Sequence, residues 1–219
     1  QRAIIASGFA ETDDVRATQE AGAGAFLRKP YTLTQLAEAV RAELGECTRC
    51  ALSEERTQIV FGDGNPHAEL LFIGEGPGEQ EDLRGLPFVG RAGQLLNRML
   101  AAIGLQRQQV YIANILKCRP PGNRDPRSEE ALRCERFLMR QIALARPRVL
   151  LSVGRISAQN LLKTDAPIGK LRGRWFEFGP KRTPLTVTYH PAYLLRTPAA
   201  KREAWADLLS LQARLKALA

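Results

Sequence analysis

No stretch of this 219-residue sequence offers the run of about 20 apolar residues that a membrane-spanning helix needs. A membrane partner is therefore not expected. The first residues set Arg2 beside only a short apolar stretch, which is no secretory signal. A cytoplasmic location and a monomeric state are expected. Internal repeats and low-complexity tracts are missing as well, which sets aside solenoid and disordered classes. Cysteine is scarce, with 4 in the chain. In a chain without an export signal, four thiols are more readily metal ligands than disulfides. The chain starts at Gln1 rather than Met and is taken as a piece of a longer product.

What is present is a foldable, basic chain. Hydrophobic residues make up 44 %, enough for a core, and the formal net charge is +9. Residues 1–44 balance at −1, and the remainder carries +10. A basic surplus attracts polyphosphates, because neutralised phosphates release condensed counterions. Taken alone, it fits a solvated basic surface equally well.

Two segments differ in pattern. Residues 1–44 read as strand, helix, strand, helix: 3–7, 13–21, 23–27 and 34–44, the last with Leu36, Val40 and Leu44 on one face. From residue 45 to 219 a longer alternation of apolar strands and helices follows. Strands are expected at 70–74, 110–116, 149–153, 175–178 and 185–189. Helices are expected at 92–103, 128–145, 157–162 and 199–218. Such alternation implies a three-layer α/β/α domain around a mostly parallel, four-stranded sheet.

Ligands of such sheets sit at the carboxyl ends of the strands, which directs attention to three loops. The first, 74–82, has Gly74, Gly76 and Gly78 within five residues, so its backbone can approach a ligand closely. The spacing is not the dinucleotide fingerprint, and no Lys-Ser/Thr follows to make a phosphate loop. The carboxylates Glu75, Glu79, Glu81 and Asp82 would also repel phosphate. The second loop follows Asn114, whose amide at a buried strand end must be satisfied by backbone or by a ligand. The third runs from His190 to Arg196, where a histidine ends a strand and apolar residues follow it.

Two resemblances are carried by these residues. Ser7-Gly8-Phe9, Gly22-Ala23 and Phe26-Leu27-Arg28-Lys29-Pro30-Tyr31 resemble the last third of a response-regulator receiver domain. The phosphoacceptor aspartate and the magnesium-binding acids of that family are absent, so its phosphorylation chemistry does not carry over. Over residues 45–219, five ordered motifs resemble the family 4, iron–sulfur uracil-DNA glycosylases: Cys47-x2-Cys50, Gly74 to Glu79, Pro87-Phe88-Val89-Gly90, Asn114 to Pro121, and His190 to Arg196. That resemblance implies flipping of uracil out of DNA and hydrolysis of its N-glycosidic bond.

It also implies roles. Phe88 would stack on the base, Asn114 would read its edge, and Glu81 would exclude a thymine methyl. His190 and the backbone around Gly74 and Gly76 would stabilise the uracil anion, and Glu75 is the nearest carboxylate to an attacking water. Leu194 would wedge into the DNA gap, while Lys117, Arg119, Arg124 and Arg196 would hold phosphates. Cys47, Cys50, Cys118 and Cys134 would carry a [4Fe–4S] cluster with a structural role. By ligand type alone, zinc suits four thiolates too. The alternative function is a non-catalytic iron–sulfur module that binds nucleic acid with the same fold. It would be distinguished by whether Asn114, Phe88 and His190 converge on one pocket.

Overall fold

A computed structural model describes residues 47–218, the strand residues 5–7 and 26–28, and Gln35, Glu38, Ala39, Ala42, Leu44 and Gly45. Two compact units divide between Thr48 and Arg49. In the first, β1 (Ile5–Ser7) and β2 (Phe26–Arg28) pair in parallel, Ile5 opposite Phe26. Parallel pairing requires a crossover between the strands. Gly8, Phe9, Gly22, Ala23, Lys29, Pro30 and Tyr31 of the receiver-like motifs lie outside the described residues, as does the helix expected at 13–21.

The second unit is built on a six-stranded sheet ordered β3-β5-β4-β6-β8-β7. Its centre is parallel: β5 (Tyr111–Asn114), β4 (Leu70–Gly74), β6 (Val149–Val153) and β8 (Thr183–Thr188). Both edges are antiparallel, β3 (Asp63–Gly64) on β5 and β7 (Trp175–Phe178) on β8. The four-stranded expectation is thus corrected to a mixed sheet of six, with four parallel strands at its centre. The two-residue β3 has no apolar alternation to betray it. It exists because Gly64, at φ +100°, lets the chain lie against β5, where a Cβ would stand 2.0 Å from the Val110 carbonyl oxygen.

Period-two alternation sends neighbouring side chains to opposite layers. Leu70 and Phe72 join one core with Leu151, Val153 and Ile112, while Leu71 and Ile73 join the other with Leu150, Leu185 and Val187. The first core is covered by α3 (Arg91–Ala102) and by α8 (Lys201–Leu218). Leu96, Met99 and Leu100 of α3, and Ala204, Leu208 and Leu211 of α8, recur at helical spacing and are buried. The second core is covered by α4 (Ser128–Ala145), α5 (Arg155–Leu162) and α6 (Ile168–Leu171). Each fully buried Leu or Phe contributes about 1.5–3 kcal/mol of apolar transfer. The short helices α1 (Leu52–Glu55), α2 (Glu79–Arg84) and α7 (Pro191–Arg196) complete the unit. No helix among the described residues is long and apolar enough to cross a membrane.

Candidate active site

Four strand ends open on one cleft of about 710 Å³, walled by Glu75, Gly76, Glu81, Phe88, His190 and Arg196 among others. Three are the loops after β4, β5 and β8. The fourth is Gly154-Arg155 after β6, which the sequence reading missed. Gly154 has φ +95°, and a Cβ on it would come within 2.9 Å of His190 Cβ. A glycine directly after a buried strand was the available signal.

Asn114 is 1 % exposed and sits opposite Gly74 in the parallel register. Its Oδ1 is the one buried side-chain polar atom among the described residues without a hydrogen-bond partner. A Cβ at Gly74 would stand 2.4 Å from that oxygen and 2.6 Å from Phe88 Cζ. Only a glycine there allows the amide and the aromatic ring to meet. Phe88 is held at φ +51°, a left-handed backbone that costs a non-glycine residue about 1–3 kcal/mol. Its ring lies 5.6 Å from the His190 ring, centroid to centroid, tilted by 34°.

His190 precedes α7, and its Nδ1 accepts a hydrogen bond from the Ala192 backbone N–H at 3.2 Å. Burial lowers its pKa to about 4; Arg196 pushes in the same direction, and Glu81 opposes it. At neutral pH the imidazole is uncharged. With Nδ1 accepting, its proton resides on Nε2, which makes Nε2–H a donor. The strand end behind it is braced: Thr188 Oγ1 donates to Asp207 Oδ2 at 2.8 Å, and Arg172 grips the same buried carboxylate with Nε and Nη2 at 3.1 and 2.6 Å.

Glu75 is half-buried in the cleft wall. Burial raises its pKa to about 7, with repulsion from Asp125 adding and attraction from Arg155 opposing. A carboxyl that titrates near neutrality can take a proton from water. Glu81 also lines the cleft, and its Oε1 accepts from the backbone N–H groups of Val89 and Gly90, both at 2.8 Å.

The uracil DNA glycosylase superfamily model matches residues 61–209. Curated relatives include the type-4 uracil-DNA glycosylase of Archaeoglobus fulgidus, 44 % identical over 171 residues, covering 75 % of this chain and 86 % of the relative. Those of Thermotoga maritima (43 % over 169 residues; 76 % and 86 %) and Saccharolobus solfataricus (44 % over 167 residues; 73 % and 77 %) match similarly. The chain belongs to the type-4 uracil-DNA glycosylase family.

In this family member two expected DNA contacts are misplaced. Lys117 is fully buried. Its Nζ donates to the Asn114 carbonyl at 2.8 Å and to Gln141 Oε1 at 2.5 Å. Burial lowers its pKa to about 8, and the nearby Cys134 and Cys118 oppose that shift. It ties down the turn after β5 and does not reach phosphate. Leu194 is 1 % exposed and belongs to the core beneath α7, so it is not poised as a wedge. The same helix exposes Tyr193 and Leu195 instead, and Tyr193 lines the cleft.

Of the remaining basic residues, Arg196 and Arg124 line the cleft. Arg124 is engaged by the buried Glu130, Nη1 to Oε2 at 2.9 Å and Nη2 to Oε1 at 2.6 Å. Arg119 Nε donates to Asn123 Oδ1 at 2.7 Å. Arg155, on the missed loop, pairs with Asp125 at 2.6 Å on the rim.

Cys50, Cys118 and Cys134 gather in one small apolar cluster with Leu52, Ile59 and Leu116. Arg56 Nη1 donates to Cys118 Sγ at 3.3 Å. Among the described residues no three Cys, His, Asp or Glu stand close enough to grip one metal ion. Cys47 belongs to the first unit, where its N–H bonds the Leu44 carbonyl at 2.8 Å.

Proposed function

We propose that the chain is a monofunctional uracil-DNA glycosylase that starts base excision repair. The observation that carries this reading is the unpaired Asn114 Oδ1, buried where the Phe88 ring edge meets Gly74. Burying an unsatisfied acceptor destabilises the free protein, and an incoming N3–H relieves it. Uracil presents N3–H to Oδ1 and O4 to the Nδ2 amine. Cytosine presents an acceptor at N3 and a donor at N4, so both contacts turn repulsive.

The target nucleotide swings out of the stack, its base lying on Phe88 with Asn114 at its edge. Glu81, in the cleft wall, is the proposed barrier to the thymine methyl. As the glycosidic bond breaks, negative charge grows on the uracil. Neutral His190 donates Nε2–H to the developing O2 anion, helped by backbone N–H groups around Gly76. A preorganised neutral donor suits this task, since it need not reorganise as charge appears. Glu75, half-ionised near neutrality, would orient or deprotonate the water that attacks the sugar cation. Arg119, Arg124 and Arg196 would meet phosphates, with Tyr193 and Leu195 facing the gap left by the flipped base.

The four cysteines would hold a [4Fe–4S] cluster. Three of them, Cys50, Cys118 and Cys134, share one apolar cluster with Leu52, Ile59 and Leu116. Four thiolate donors are the set that such a cluster takes. When bound it would cross-link the segments that carry the cysteines, and hydrolysis of the N-glycosidic bond needs no electron from it. The protein is proposed to act as a monomer in the cytoplasm, where thiol ligands stay reduced. Residues 1–44 are proposed to be a receiver-like remnant, separate from a glycosylase domain at 45–219.

Incubating the protein with an oligonucleotide holding one uracil, and with cytosine and thymine counterparts, tests the proposal. Free uracil and an abasic site are expected from the first substrate alone. Binding without base release would leave the non-catalytic module in its place.

A further inference from the structure

We propose that Arg107 is a positioning residue for base excision: it holds Phe88 in the strained backbone that presents its ring to the flipped base. This rests on Phe88 being the stacking platform. A phenylalanine at φ +51° is an outlier that persists only where its surroundings over-determine it. Those surroundings are unusually complete. Arg107 Nη1 donates to the Phe88 carbonyl at 3.1 Å, and Nη2 donates to the Pro87 carbonyl. On the far side, Glu81 Oε1 takes the N–H groups of Val89 and Gly90. Helix α3 presses from behind, since a Cβ at Gly93 would stand 1.8 Å from the Phe88 carbonyl oxygen.

The guanidinium is itself fixed. Its Nε and Nη2 both reach Asp63 Oδ2 at 2.8 Å, and its side chain is only 16 % exposed. Asp63 lies on the short edge strand β3, so that strand orients the arginine. Arg107 stands in the turn that leads directly into β5, which ends at Asn114. One continuous segment therefore fixes both the base-edge reader and the backbone of the stacking ring. Two carbonyls and a carboxylate in three directions need a planar fork, which lysine lacks.

A purely structural role for the Arg107–Asp63 pair is separable by a double-mutant cycle on the full chain. Single-turnover uracil release, binding to uracil-free duplex and thermal midpoint would be measured for R107M, R107K, F88L, R107M/F88L and R107K/F88L. R107M should slow release by about 10²-fold, the cost of misplacing a reacting group by about 1 Å. R107K should restore only part of that, and duplex binding should stay within about twofold of the parent. In the F88L background, either arginine substitution should change the rate by less than about twofold. An R107M enzyme at the parent rate, beside a slow F88L, overturns the Arg107 assignment and leaves Phe88 standing. An R107M loss of equal size in both backgrounds also overturns it, because Arg107 then supports the fold at large. F88L at the parent rate instead overturns the stacking reading on which the proposal rests. Where R107M fails to fold, R107K and R107K/F88L decide by the same criteria.

Discussion

Replacing Asn114 with Leu separates a functional amide from a structural one, because the two roles predict opposite changes in stability. Leucine keeps the branching and heavy-atom count of asparagine and brings no polar atom, although its methyl groups are bulkier than the amide. In the free protein it removes an acceptor that is 1 % exposed and unpaired. An unsatisfied buried acceptor costs about 1–3 kcal/mol. For a unit of 150–250 residues, each kcal/mol moves the thermal midpoint by about 2–4 °C. The Asn114→Leu midpoint should therefore hold or rise by a few degrees.

Excision should collapse at the same time. The variant leaves uracil N3–H and O4 facing a hydrocarbon, and sites built on such pairs discriminate by about 10⁴–10⁵. A loss of about 10⁴ in kcat/KM is expected in a uracil-release assay. Asn114→Asp should behave differently: it buries a carboxylate without a partner, so both excision and the midpoint should fall. Should Asn114→Leu lower the midpoint by several degrees, the amide is holding backbone and the base-reading argument fails. Undiminished excision by Asn114→Leu would end it outright.

The remaining predictions concern the donor, the carboxyl and the metal. His190→Ala removes one donor from the developing anion and should slow single-turnover release by about 10²–10³, with binding to undamaged duplex unchanged. Glu75 has its pKa raised to about 7, so a requirement for its carboxylate predicts a rate that climbs through pH 7 and levels above it. Glu75→Gln should abolish that limb. It should also raise the thermal midpoint at pH 8, where the parent must keep a desolvated carboxylate ionised; a pH profile unchanged in shape would reject this role. His190, lowered to about 4, should add no limb near its ordinary value. The purified protein should absorb broadly near ~400 nm with about four irons per chain, and Cys118→Ser should bleach that band and lower the melting temperature together. A colourless zinc protein of parent activity would refute the cluster.

Part of the candidate site was legible in the amino-acid sequence. Apolar strands leading to Gly74, Asn114 and His190 marked the carboxyl edge of a parallel sheet; His190 and the loop after Gly74 line the cleft, and Asn114 lies buried opposite Gly74. Phe88 was marked by a Pro-Phe-Val-Gly loop, although its left-handed backbone was not foreseeable, since no local rule places a phenylalanine there. Strand β3 and Arg107 were invisible for a related reason. Strand β3 is only two residues long, and Arg107 is spent on the Phe88 and Pro87 carbonyls, backbone acceptors that leave no trace in a side-chain pattern. Gly154 and Arg155 were missed although the strand-end rule applied to β6 just as it did to β4.

Lys117 and Leu194 show where residue type misleads. A lysine after a strand in a basic chain suggests phosphate, and a leucine in a loop at the ligand face suggests a wedge. Three-dimensional register decides otherwise: the turn after β5 points Lys117 inward at the Asn114 carbonyl, and α7 points Leu194 into the core while Tyr193 and Leu195 face out. Burial alone does not separate structural from functional polar groups either, since Lys117 and Asn114 are both inaccessible and lie three residues apart. Satisfaction does. The Lys117 ammonium has a carbonyl and an amide oxygen within 2.8 Å, so it is held by partners within the protein. The Asn114 oxygen has no partner, and a fold that goes to the expense of a glycine at 74 and a strained Phe88 beside it is holding that oxygen for something that arrives later.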